Sequence, residues 1–428
     1  MPKTEPIKAV RGVRDILPEE RGLWRVAEHA AARVAHRFGY REIETPMIEH
    51  AELIERGVGE TADAATKELY RFKDQGGRLL ALRPEATASV VRAYFEGGLN
   101  QGPQPARLYL MGPMFRYDRP QAGRYRQFWQ WDVEAIGDPG PAVDAELIEL
   151  GARFYREAGL DDALLLINSI GDAVCRPAYV AELKAYFREH IAGMPEVERR
   201  RLESNPLRLL DSKDPALAVL QARAPRITDR LCPACAEHFA AVLGHLDALR
   251  VGYRVEPALV RGLDYYTRTA FEFYRAGAEG QQQALGGGGR YDGLIELLGG
   301  RPTPGIGFAL GLDRVILALG DSASEEEGAS PLAVIVGAEP AATAERLRVA
   351  TDLRGEGLVV RADLSARKLG RQLESAARDG AHFAVILGDE LAAGQVQLKD
   401  LQAGTQRPLP LADVARELRR ADASHHHG

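Results

Sequence analysis

The chain has 428 residues, a net charge of −6 and three cysteines. Its length exceeds one ordinary domain, so two or three are expected, and its acidic balance excludes nucleic-acid binding through the whole surface, leaving only local basic patches for it. Three cysteines exclude a disulfide framework and suit a reducing compartment. No apolar run approaches the roughly 20 residues that span a bilayer and no secretory signal follows the N-terminal charges, so a cytoplasmic protein without a membrane partner is expected. Residues 18–38 predict a helix: Pro18 suits its first turn, Glu19 and Glu20 favour the positive end of its dipole, and Gly39 stops it. Residues 41–45 alternate as a strand that Pro46 breaks.

A short strand at 78–82 runs into Arg83-Pro84-Glu85-Ala86-Thr87, where Pro84 opens a helix that continues to about Glu96. Glu85 then falls in the first helical turn. It reads as a partner for the dipole, or as a carboxylate that binds an ammonium group, and the pentapeptide alone favours the first. A strand at 106–114 leads into the hairpin FRYDRPQAGRYRQFWQWDVEAIG at 115–137. Arg116, Arg119, Arg124 and Arg126 crowd it, with Phe115, Tyr117, Tyr125, Phe128, Trp129 and Trp131 interleaved. Arginine presents a fixed fork of donors to phosphate and aromatic faces stack on bases, so the hairpin reads as a nucleotide or polynucleotide grip rather than a solvated ribbon. Residues 142–158 form an amphipathic helix.

From Asp172 to about Leu249 the pattern is mostly helical, an insertion over 172–250. Within it, Cys232-Pro-Ala-Cys235 has knuckle spacing, but Cys175 is distant and His238 adds only one more ligand, so the pair reads as a helix start with no metal. Strand patterns resume at 253–260, 269–275 and 283–288. In 259–267, Arg261 and Asp264 interrupt a strand-like run, and Tyr265 and Tyr266 would point to opposite faces, one to the core and one to a pocket; a mid-sheet salt bridge stays open as the other reading. LGGGGRYDG at 285–293 lets backbone approach a ligand, without the Gly-Lys-Ser/Thr ending of a P-loop, or makes a tight turn. A strand at 305–310 enters a helix at 311–319, whose first turn holds Arg314 at a cost of ~0.3–1 kcal/mol to the dipole; this suggests a bound anion, unless Asp313 pairs with it. Residues 321–330 have linker composition. Strands at 332–337, 357–361 and 382–387 then alternate with helices at 340–354 and 366–379, predicting a separate α/β domain over 331–421. Residues 422–428 read as a disordered tail with three histidines.

Taken together and in order, these groups resemble class II aminoacyl-tRNA synthetases. Residues 42–49 resemble the first signature motif of that class, a dimer interface; FRYDRPQAGRYRQF resembles the second and GIGFALGLDR the third. Residues 259–267 and 287–294 are similar to the two peptides peculiar to histidyl-tRNA synthetases. The resemblance implies an α+β fold: an antiparallel-sheet catalytic domain over 1–171 and 251–320, the helical insertion, and the small α/β domain as an anticodon-binding domain. It implies that Arg116, Asp118, Arg124, Phe128 and Arg314 bind ATP, with Mg2+ accompanying the ATP. Asp118 stands where Glu is the commoner family residue. Glu85, Thr87 and Gln130 would hold the α-amino group of L-histidine, Glu134, Tyr265, Tyr266 and Tyr291 would surround its imidazole, and Arg261 would be the catalytic arginine at both the carboxylate and the α-phosphate. Gln121 would approach the end of tRNA(His), and the chain would act as a homodimer. Two other readings follow from the same motifs: a histidine-sensing regulatory paralogue without the reaction, and a class II synthetase for another amino acid. The intact Arg116, Arg261 and Arg314 argue against the first, and Glu134 with the 261–266 peptide against the second.

Overall fold

The computed structural model describes residues 6–58, 67–121, 123–212, 214–263, 265–276, 284–320, 332–337 and 343–425. Asp264, the expected linker at 321–330 and the last tail histidines lie outside these. The chain forms two compact units, Met1–Ser324 and Glu325–Gly428. Among the described residues no helix is long and apolar enough to cross a membrane.

In chain order the strands of the first unit are β1 (Arg41–Glu42), β2 (Ile48–His50), β3 (Arg71–Lys73), β4 (Leu79–Leu82), β5 (Ala106–Phe115), β6 (Gln127–Ile136), β7 (Ala163–Ser169), β8 (Tyr253–Val255), β9 (Thr267–Arg275), β10 (Gly286–Arg290) and β11 (Gly305–Gly311). Eight of them form one sheet in the order β1-β5-β6-β11-β10-β9-β7-β8, while β2, β4 and β3 form a small antiparallel sheet. Pairing in the large sheet is antiparallel except at β1–β5 and β7–β8. Strand periodicity divides β6. Trp131, Val133 and Ala135 enter the main core, which the helices Pro18–Arg37, Pro141–Glu157, Pro233–Ala248 and Leu312–Leu319 cover. Gln130, Asp132 and Glu134 alternate with them toward the other face. The hairpin, the 18–38 and 142–158 helices and the 305–319 strand–helix corner lie where the sequence predicts them.

Three local expectations change. The helix after β4 begins at Thr87, not at Pro84. Glu85 lies outside it, and its carboxylate accepts from the backbone N–H groups of Thr87 at 2.9 Å and Ala88 at 3.1 Å, so a side chain satisfies the orphan donors that a longer helix would have moved upstream. Residues 259–263, 265 and 266 are not strand: Asn168 donates to the carbonyls of Pro257 and Leu259 at 3.2 and 3.0 Å, so these do not enter a ladder. Tyr265 and Tyr266 therefore do not split between faces. The glycine run is neither phosphate loop nor turn but the strand β10, flanked by β9 and β11. A Cβ on Gly287 would lie 2.5 Å from the Phe271 carbonyl and 3.0 Å from Arg261 Nη1, so glycine there lets an arginine lie on the sheet.

Arg290, at the end of β10, is fully buried. It pairs with Asp144 and Asp292 and donates to the carbonyls of Asp138 and Gly140. Asp144 also accepts from Thr269 Oγ1 at 2.6 Å and meets His238 Nε2 at 3.0 Å. Burial works to raise the pKa of Asp144, but these partners outweigh it and hold the group below its ordinary value. Its contribution to stability is therefore present above about pH 4 and is lost as pH falls through the folded pKa. Arg290→Met should lower the stability of the first unit by about 3–5 kcal/mol, since it leaves a buried carboxylate with its main cation gone. Thermal unfolding checks this, and a change under about 1 kcal/mol would show the network to be dispensable.

The second unit is a sheet in the order β13-β12-β14-β15-β16, from β12 (Ala333–Gly337), β13 (Val360–Ala362), β14 (Phe383–Leu387), β15 (Gln395–Asp400) and β16 (Gln406–Pro410). The first three are parallel, as the βα alternation predicts, and β15 and β16 are antiparallel additions. These two escape the sequence reading because only Val396, Leu398 and Leu409 of them are buried. Helices Thr343–Gly355 and Val414–His425 pack on one face and Leu369–Arg378 on the other.

Candidate active site

The hairpin brackets a cleft. β5 and β6 pair with Met114 opposite Phe128 and Gly112 opposite Gln130, and the loop returns through a Gln121–Arg124 backbone bridge. Its four arginines then diverge. The Arg116 guanidinium stands 5.1 Å from the Phe128 ring centroid, and its Nε donates to the Pro84 carbonyl at 2.8 Å. Arg124 pairs with Asp118 at 3.1 Å. Arg116, Asp118, Arg124 and Phe128 all line the cleft. Arg126 instead lies 3.8 Å over Tyr117 and takes its N-terminal partner through a 2.7 Å bond from its N–H to the Gly12 carbonyl. Arg119 and Gln121 are exposed.

Arg314 reaches the same cleft from the first turn of Leu312–Leu319. Asp313 does not neutralise it: that carboxylate accepts from the Trp129 N–H at 2.8 Å and faces Arg14 at 3.5 Å. Arg314 donates to the carbonyls of Gly123 and Ala284. Burial, with repulsion from Arg124 and Arg116, holds it below its ordinary pKa. Arg116 is likewise lowered, by burial, against the pull of Glu68 and Glu85. Guanidiniums gathered in one part-buried cleft are relieved by an anion. Arg261, from the irregular 259–263 segment, completes the set. It pairs with Glu272, lies 5.7 Å from the Tyr266 ring, and has no partner for Nε among the described residues.

On the floor of the cleft, at Glu85, and beneath it the charge reverses. Glu85, Asp132 and Glu134 are 3%, 1% and 1% exposed. Burial raises all three pKa values, and neighbouring carboxyls raise those of Asp132 and Glu134 further. Glu134 accepts from Thr87 Oγ1 at 2.7 Å and from the Tyr291 hydroxyl at 2.5 Å. A Cβ on Gly307 would sit 1.7 Å from Glu134 Oε2, so the strand beside it must be glycine for the carboxylate to fit. Tyr265 and Tyr266 have ring centroids 4.7 Å apart, Tyr265 is edge-on to Tyr291 at 6.0 Å, and all three line the cleft. Gln130 leaves Oε1 without a hydrogen-bond partner among the described residues. Buried carboxyls with raised pKa and an orphan acceptor favour a ligand that brings a cation.

Glu85, Thr87, Gln130, Arg116, Asp118, Arg124, Phe128, Arg261, Tyr265, Tyr266, Tyr291 and Arg314 thus meet in one cleft, with Glu134 below it; Gln121 stands apart on the loop. Asp132 and Glu272 escape the sequence reading. A charged residue inside an apolar strand is the signal that could have found both. Arg208, which donates to the Gly262 carbonyl at 2.8 Å, comes from the helical insertion and has no sequence signal. Cys175 is distant from Cys232 and Cys235 only in sequence: all three gather around Asp172, whereas His238 turns to Asp144.

A mostly antiparallel sheet that brings an arginine-rich hairpin, a glycine-rich strand and a strand–helix corner into one cleft defines a class II aminoacyl-tRNA synthetase. Residues 12–315 match the histidyl-tRNA synthetase family model, residues 331–421 match the anticodon binding domain model, and the chain belongs to the histidyl-tRNA synthetase family. It is 49% identical over 408 residues to the histidine–tRNA ligase of Moorella thermoacetica, covering 94% of this chain and 96% of that protein. The histidine–tRNA ligase of Anaeromyxobacter dehalogenans is 48% identical over 411 residues, covering 96% and 98%. The crystal structure of the apo histidyl-tRNA synthetase of S. aureus superposes with a TM-score of 0.79 at 37% identity, over 96% of this chain and 100% of that one.

Proposed function

We propose that the chain is a histidine–tRNA ligase: it activates L-histidine with ATP to histidyl-adenylate and transfers the histidyl group to the 3′ end of tRNA(His). The observation that carries this is the meeting of Arg116, Arg124, Arg314 and Arg261 with Glu85 in one cleft, with Asp132 and Glu134 buried beneath it. ATP, entering with its Mg2+, lies on the arginine side. Adenine stacks on Phe128 near Asp118, Arg124 and Arg314 take the terminal phosphate, and Arg116 takes the α-phosphate. Histidine lies on the carboxyl side. Its ammonium meets Glu85, Thr87 and Gln130, and its imidazole meets Glu134 among Tyr265, Tyr266 and Tyr291.

The histidine carboxylate attacks the α-phosphorus in line, the bond to the β-phosphate oxygen breaks, and pyrophosphate leaves. No base is needed, because the nucleophile is already ionised; the obstacle is bringing two anions together. Arg116 and Arg261, fixed in advance at that centre, lower the barrier electrostatically. In the second step a ribose hydroxyl of the tRNA end, approached by Gln121, displaces AMP. Each oxygen of Glu134 keeps a lone pair beyond its hydroxyl donor, so it can accept an imidazole N–H, and an isostere without ring nitrogens would strand it.

The second unit reads the anticodon, and residues 172–250 form an insertion near the bound tRNA. The chain works in the cytoplasm as a homodimer. The edge position of β1 and the exposed Met47 and Ile48 beside it in sequence support an interface there. The deciding measurement is amino-acid-dependent exchange of pyrophosphate into ATP. Exchange with histidine is expected. None with histidine would leave a regulatory paralogue, and exchange with another amino acid would keep the class and overturn the specificity.

A further inference from the structure

Away from the reacting groups, the turn that leaves β7 and the first turn of the Pro233–Ala248 helix bring four ligating side chains together. Asp172 and Cys175 are three residues apart, as are Cys232 and Cys235. One ligand atom from each lies within 4.8 Å of the other three. Cys175 Sγ is 3.6 Å, and Cys232 Sγ 3.9 Å, from the same oxygen, Asp172 Oδ1. A tetrahedron with metal–sulfur bonds of about 2.3 Å has edges of about 3.7 Å, so these separations suit ligands around one ion. The three cysteines are free rather than bonded to one another.

The backbone around the cluster is set by two helix starts. Cys175 and Cys232 are the N-caps of the Arg176–Arg188 and Pro233–Ala248 helices, so two helix starts hold their side chains toward Asp172. The Asp172 N–H points at Cys175 Sγ at 3.5 Å, and Arg268 stands 3.5 Å from Asp172 Oδ2, offsetting part of the site's negative charge. We propose that Asp172, Cys175, Cys232 and Cys235 form a structural zinc site that staples the start of the helical insertion to its last helix. Three thiolates and a carboxylate select zinc over magnesium or calcium, and four protein ligands leave no open position for catalysis. Binding displaces the thiol protons to solvent.

The staple stands behind the amino-acid pocket. Arg176, adjacent to Cys175, donates to the carbonyls of Ile170 at 3.0 Å, Gly171 at 2.9 Å and Tyr266 at 2.6 Å. The ion thus positions the backbone that carries Tyr266 without touching substrate.

The test uses the full chain with His425, His426 and His427 replaced by alanine, so that the tail cannot bind metal, purified without a metal-affinity step. Elemental analysis should find one zinc ion per chain, falling to near none in Cys175→Ser and in Cys232→Ser. Cobalt loaded in place of zinc should show intense thiolate-to-cobalt charge transfer and the visible bands of a tetrahedral ion. Removing the zinc should raise KM for histidine several-fold with kcat nearly unchanged. No stoichiometric zinc in the parent chain, undiminished zinc in the variants, or a disulfide between two of the cysteines would overturn the site. If the variants fail to fold, a parent cobalt spectrum without thiolate bands would do the same.

Discussion

Replacing Arg261 by alanine is expected to lower kcat for histidine-dependent pyrophosphate exchange by about 10³-fold, with KM for histidine moving far less. A fixed donor aimed at developing phosphoryl charge supplies roughly 10²–10³-fold on its own, and arginines at phosphoryl transfer centres reach further. A loss confined to kcat marks a group whose interaction strengthens in the transition state. The structure also supplies the control. Arg261 pairs with Glu272, and Tyr274 bonds the other oxygen of that carboxylate, so the single variant leaves Glu272 short of its cation in a buried place. Burial works to lower the pKa of Arg261, but the attraction of Glu272, helped by Tyr266 and by hydrogen bonds to both, outweighs it and raises the group. If the defect came only from the stranded carboxylate, adding Glu272→Gln would restore activity. The double variant is expected to stay inactive. An unchanged kcat, or rescue in the double variant, would remove Arg261 from the catalytic role.

Glu134→Gln should separate stability from function. Glu134 is buried with its carboxyl held well above its ordinary pKa, burial being the main cause. A carboxyl raised in this way gives most stability below its unfolded value of about 4.3 and loses it as pH rises through the folded pKa. The amide cannot ionise, so the variant should melt higher than the parent near neutral pH. Its kcat/KM for histidine should nevertheless fall by about 10²–10³-fold, the scale on which removing one partner of a buried charged hydrogen bond acts. Calorimetry in buffers of different ionisation enthalpy adds a second readout. A cationic ligand lowers the pKa of the carboxyls it meets, so histidine binding to the parent should release protons above about pH 4.3 and tighten as pH rises; the variant should release fewer. Equal kcat/KM and equal proton release would show that Glu134 does not meet the imidazole.

Much of this site is legible before any coordinates. The hairpin announces itself because four arginines and six aromatics have no fold reason to share so short a stretch, and Arg314 because a cation at a helix N-terminus opposes the dipole. What pattern reading loses is direction. Arg126 belongs to the same cluster as Arg116, yet it turns to Tyr117 and the N-terminal segment. Glu85 has the look of a dipole partner and is one, capping Thr87 and Ala88, while the same carboxylate lines the cleft. The glycine run looks like a loop or turn because glycine usually marks one, yet the strand expected at 283–288 is what forms, and glycine there lets strands and an arginine approach closely.

By itself, then, the sequence determined the family, the order of most elements up to β14 and the chemical character of its site. These rest on periodicity, turn residues and charge, which act between near neighbours in the chain. Only the tertiary structure decided which carboxylates share a pocket, that Asp313 turns from Arg314 to Arg14, and that Asp172 and Cys175 stand beside a cysteine pair some sixty residues away. The reason is physical: sheet register and helix packing place groups whose separation along the chain carries no signal, and burial then makes their proximity matter for charge and ligation.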